Sequence, residues 1–101
     1  MGFTMTDQRG LRDLAGIGGA MLGDFEMLGV RSVSQLAACD GDELYARLCS
    51  LTGRQQDICV LDVFRCAVAQ ARDPSLPEEE CQWWWWSRKR RADQLAQSAG
   101  R

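Results

Sequence analysis

From Leu11 onward, apolar residues recur at helical spacing and are punctuated by glycines. Leu11 and Leu14 stand at i, i+3, Gly16-Ile17-Gly18 follows, and Met21, Leu22, Phe25 and Leu28 form a second stripe that Gly29 ends. The pattern predicts a short helix over Gln8 to Leu14, a tight glycine turn plugged by Ile17, and a helix over Gly19 to Leu28. Glycine suits the turn at Gly16 and Gly18 because it enters positive φ at little cost.

Ser32 and Gln35, then Asp40 and Glu43, have capping-box spacing, so a third and a fourth helix are expected to start there. Val33, Leu36 and Ala37 line the third. Leu44, Leu48 and Leu51, widened by Tyr45 and Cys49, line the fourth, which Gly53 closes. A fifth helix is predicted over Arg54 to Arg72, with Val60, Val63, Phe64, Ala67 and Ala71 on one face. Leu61, Val68, Cys59 and Cys66 flank that face, and only a strip near Asp62 and Arg65 is polar. A helix this apolar belongs at the centre of a core. Asp73-Pro74-Ser75-Leu76-Pro77 reads as a linker, with Pro77 suited to the first position of a final helix. Glu78 to Glu80 would fill its first turn and Arg88 to Arg91 would follow, the order the helix dipole favours. Residues 92–101 look frayed. The expected fold is all-α, a small bundle of five or six helices, in two parts. Residues 1–73 form the helical domain, and residues 74–101 form a basic, tryptophan-rich C-terminal helix and tail.

The 101 residues suffice for one modest core, and 46% hydrophobic with 26% charged residues is ordinary for a globular protein. No apolar run approaches the roughly 20 residues of a membrane helix, and no signal peptide is visible. A cytoplasmic setting is expected. Net charge is −2, but five of the 12 basic residues (Arg88, Lys89, Arg90, Arg91 and Arg101) follow residue 87, against one of the 14 acidic ones, Asp93. The body is acidic and the tail basic, which fits a nucleic acid, an acidic partner or a solubilising helix end.

Five cysteines without a CxxC pair, and no histidine, argue against a metal site. Cys59 and Cys66 share a helix side but stand roughly 10 Å apart along it, beyond disulfide reach. The cysteines read as small buried hydrophobes, with redox sensing as the alternative. Without histidine or a carboxylate constellation no catalytic residue is assigned, and neither a cofactor nor a small-molecule substrate is expected.

Two motifs remain. The amides of Gly16, Ile17, Gly18 and Gly19, at a helix N-terminus, could cradle a phosphate. The alternative is a hairpin that only packs two helices. Trp83-Trp84-Trp85-Trp86 precedes Ser87 and the cations Arg88, Lys89, Arg90 and Arg91. Four successive helical residues surround the axis, so one tryptophan at least should be exposed. Three readings stay open: stacking on nucleic acid, a homodimer or partner contact, or packing on the bundle under arginine cation–π contacts.

Residues 11–71 resemble a bacterial family of pathogenicity-locus or mitomycin-resistance proteins. The matching stretches are LAGIG (14–18), LGVRSV (28–33), ELYARLCSLTG (43–53) and ICVLDVFRCAVAQA (58–71), and CQWWWWSRKRR (81–91) matches the family's end. The family is similar to the C-terminal domain of TfoX-type competence regulators. The resemblance implies an all-α, SAM-domain-like fold with a helix-hairpin-helix motif and a non-catalytic DNA-binding role. The chain departs from the usual hairpin where Ala15 replaces a proline before the first glycine, and where Gly19 and Ala20 replace a lysine after the second.

Overall fold

The computed structural model describes residues 9–99, with side chains through residue 97. Residues 1–8, where the first helix was expected to begin, lie outside it, as do the last two. Five α-helices are described: α1 (Gly19–Leu28), α2 (Val33–Ala37), α3 (Gly41–Thr52), α4 (Ile58–Arg72) and α5 (Trp83–Ala99). Two 3₁₀ turns, Leu11–Asp13 and Glu78–Cys81, precede α1 and α5.

Local chemistry sets most boundaries. The Ser32 hydroxyl accepts the Gln35 amide at 3.1 Å, and Asp40 accepts those of Asp42 and Glu43 at 2.8 and 3.3 Å. Such caps satisfy amides that a helix start leaves open. Gly29 (φ 79°) and Gly53 (φ 71°) end α1 and α3 in the left-handed conformation. The described residues before Gly16 form a 3₁₀ turn rather than an α-helix. Of the two glycines flanking Ile17, Gly16 takes positive φ (84°) and Gly18 is extended.

Helix α4 starts four residues later than its apolar pattern suggests, because Asp57 caps it by accepting the Cys59 amide at 2.9 Å. The final helix also differs. Instead of one helix from Pro77, a 3₁₀ turn is followed by an extended Gln82 and then α5. The Glu80 carbonyl accepts the Trp86 indole N–H at 2.8 Å, a side-chain bond that bridges the break. The helix itself runs to Ala99, past the point where fraying was expected.

Phe25 and Phe64 meet at the centre of the core, ring centroids 5.5 Å apart. Leu36, Leu44, Leu48 and Val33 close around them, and Leu14 and Ile17 carry the glycine turn onto this core. Helix α4 is central, packing on α2, α3 and α5. Its buried residues are Leu61, Asp62, Phe64, Cys66, Ala67, Val68, Gln70 and Ala71, while Val60 and Val63 are only half-buried. The expected polar strip is therefore solvated only at Arg65, while Asp62 is wholly buried. Arginines also staple helix ends. Arg47 donates to the Leu28 carbonyl at 3.0 Å. Arg72 donates to the carbonyls of Ala37 and Cys39 at 2.9 and 2.7 Å. Arg9 donates to that of Gln70 at 2.9 Å. Cations suit these carbonyls, which lack helical partners and carry the negative end of the dipole.

Candidate nucleic-acid interface

The glycine turn is open to solvent. Gly16, Gly18 and Gly19 are exposed while Ile17 between them is buried. Helix α1 begins with Gly18 as its cap and without a side-chain cap, in contrast to α2, α3 and α4. Its first helical bond runs from the Leu22 amide to the Gly18 carbonyl at 3.0 Å. The amides of Gly19, Ala20 and Met21 thus precede the ladder, at the positive end of the dipole.

What holds this turn is Gln70, a residue that the sequence reading passed over. Its Oε1 accepts the Ala15 amide at 2.9 Å, and its Nε2 donates to the Ala15 carbonyl at 3.1 Å. Its position on a predicted core face, polar among alanines and valines, was the available signal. The same Nε2 lies 3.5 Å from Cys66 Sγ, and burial pushes the Cys66 thiol up to about 12. All five cysteines are free thiols.

Helix α5, which carries the basic cluster, packs chiefly on α4 and the second 3₁₀ turn. Arg90 is turned inward, its Nε and Nη2 donating to the two Asp62 oxygens at 2.9 and 3.1 Å. Its side chain is 12% exposed and that of Asp62 0%. Lys89 reaches Asp93 at 3.5 Å on the surface. Arg88 and Arg91 are exposed and form no ion pair among the described residues. Asp62 and Gln70 are eight residues apart on α4, about 12 Å along its axis. The cluster's one inward contact is thus two turns from the clamp that holds the glycines. Asp62 and Arg65, neighbours on α4, do not pair with each other. Arg65 instead binds Asp42 bidentately at 2.6 and 2.7 Å.

The four tryptophans divide into two pairs. Trp85 and Trp86 are half-buried and meet edge to face, centroids 5.1 Å apart. Trp86 also walls a groove of about 240 Å³ with Gly41, Arg65 and Arg72. Trp83 and Trp84 are each 40% exposed. The Arg88 guanidinium sits 4.7 Å from the centre of the Trp84 ring, a cation–π contact. No described helix is long and apolar enough to cross a membrane.

Residues 5–92 match the Cdd1 "pathogenicity locus" family model. A curated relative, "Mitomycin resistance protein McrB" of Streptomyces lavendulae, is 35% identical over 68 residues, 67% of this chain. The match spans 65% of that relative, slightly under two thirds of its length. No solved structure matches the chain. With 88 residues aligned to the family model across both the helical body and the tryptophan segment, the chain belongs to the Cdd1 pathogenicity-locus family.

Proposed function

We propose that this protein binds DNA without catalysis, holding a backbone phosphate in a helix-hairpin-helix made of the first 3₁₀ turn, the glycine turn and α1. The observation that carries the reading is the uncapped start of α1, where exposed glycines leave the Gly19, Ala20 and Met21 amides open to an anion. Phosphate contacts position a protein without reading sequence, so binding would be sequence-independent. It would also be weak, since Gly19 and Ala20 stand where a lysine would add a cation beside the phosphate, and affinity grows with the phosphates neutralised. Arg90 takes no part in this reading, because Asp62 already holds its guanidinium. Protein docking through the tryptophan segment is the other reading, and it rests on Trp83 and Trp84, the two exposed rings. We also carry over, as a proposed phenotype, the mitomycin resistance in the relative's name.

The test is titration of a labelled duplex at roughly 50 mM salt, the low end of the usual range. Gly19→Pro removes one open amide at a position where a helix accepts proline, and Gly18 already has the extended backbone that proline demands of its predecessor. It should weaken binding. Ala20→Lys supplies the usual cation at an exposed site and should tighten it. Absence of binding at micromolar protein would falsify the proposal.

A further inference from the structure

Successive residues of a helix project about 100° apart. On α5 that spacing places Trp84, Arg88, Arg91 and Leu95 within an arc of about 60°, and all four are exposed. Trp86 and Arg90 lie on the far side, and Ser87 borders the arc about 40° from Arg91. Ser87 is buried, and Arg90 reaches into α4 at Asp62. The outward arc is therefore aromatic, doubly basic and apolar. The one acid on α5, Asp93, lies off it and is turned to Lys89.

We propose that this outer face of α5 binds single-stranded nucleic acid, with the Trp84 indole stacked on an unpaired base and Arg88 and Arg91 holding neighbouring phosphates. The inference shares a partner class with the hairpin reading but uses a different site. Arg88 lies over the Trp84 ring, which fixes the indole's orientation. A guanidinium stacks through its flat face and donates from its edge, so its N–H groups stay available to phosphate oxygens.

Three features favour this occupant. A duplex keeps its bases stacked on one another, whereas a single strand presents a free π-face. A two-fold contact with a second copy would set the same arginines against each other, with no acid on the arc to relieve them. An interfacial membrane helix separates its apolar and cationic faces, and here Trp84 and Leu95 share one arc with Arg88 and Arg91.

The experiment follows intrinsic tryptophan fluorescence while the full chain is titrated with a 15-residue oligothymidylate (roughly the span of a single-strand site) and with a duplex of equal length. Single-strand binding with quenching is expected. Trp84→Ala should weaken it about tenfold. Arg88→Gln and Arg91→Gln should each make the log–log salt dependence shallower by about 0.7. Because Trp84 and Arg91 are exposed, circular dichroism should report folded variants. The proposal is overturned by three results: a preference for duplex, single-strand affinity indifferent to Trp84→Ala, or a Trp84-dependent dimer in sedimentation. Duplex binding lost in Gly19→Pro, without single-strand binding, would leave the hairpin reading alone standing. Trp84-dependent single-strand binding without duplex binding would leave only this one.

Discussion

The side chain of Gln70 grips the peptide of Ala15 from both sides, accepting its N–H at 2.9 Å and donating to its C=O at 3.1 Å. The two residues are 55 positions apart. The pairing needs an N–H at position 15, which alanine has and proline lacks. Leu14 has the extended backbone (φ −77°, ψ 141°) that proline tolerates in its predecessor. The obstacle is Gln70, whose buried Oε1 would lose its donor. Ala15→Pro should therefore cost about 1–2 kcal/mol, the desolvation of an orphaned acceptor. Adding Gln70→Leu should recover only part of that cost, because it removes the orphaned Oε1 but also takes the Nε2 donor from the carbonyl of residue 15. Urea denaturation of the two variants checks this, and a stabilising Ala15→Pro would refute it.

The ion pair between Asp62 and Arg90 fastens α5 to α4. Removing one partner of a buried pair leaves the other uncompensated, typically at a cost of several kcal/mol. Asp62→Ala should destabilise by about 3 kcal/mol, and the tryptophan emission should shift to the red as α5 loosens. The double variant Asp62→Leu, Arg90→Leu should be more stable than Asp62→Ala, since neither charge is then stranded. Chemical denaturation followed by fluorescence distinguishes the cases.

Gly41, at the first position of α3, lies against the backbone of α4. A Cβ there would stand 2.9 Å from both the Arg65 Cα and its amide nitrogen. Neither atom can move without shifting α4, so Gly41→Ala should cost about 2 kcal/mol as an overpacking change. This is opposite in sign to the usual gain from alanine in a helix. A melting temperature at or above that of the native chain would show that the two helices can part.

Asp42 is held below its ordinary carboxylate value of 3.8, first by its hydrogen bond with Arg65. A carboxyl depressed in the folded state adds stability above the unfolded value, and that stability is lost as pH falls through the folded value. Both side chains are substantially exposed, so the contribution is screened and small. Asp42→Asn should therefore melt below the native chain at pH 6. The gap should close as pH drops beneath 3.8. Thermal melts across that range measure it, and a gap that persists at the acid end would assign the effect to something other than this charge.

Helices α1, α2 and α3 were legible in the residues themselves. Ser32, Asp40, Gly29 and Gly53 act on amides or carbonyls a few positions away, or through their own backbone angles, so their effect travels with the sequence. The same holds for the exposure of the tryptophans, since four in a row cannot all face one side of a helix. The break before α5 was not legible, because the tertiary setting, in which the second 3₁₀ turn and α5 both pack on α4, accompanies it. The face of α4 that is buried was only partly legible, because three helices pack around it.

Sequence alone determined the helical class and most of the caps, and it singled out the glycine turn and the tryptophan-rich basic segment. Tertiary structure decided which of those groups are free to act. Arg90 looked like one of four equivalent surface cations until packing set it on Asp62, 28 positions away. Gln70 looked like an unremarkable polar residue until packing set it on Ala15. The physical reason is range: a helical pattern is written in contacts of three and four residues. A charge is neutralised, or a peptide clamped, by whatever the packing of distant helices brings within 3 Å.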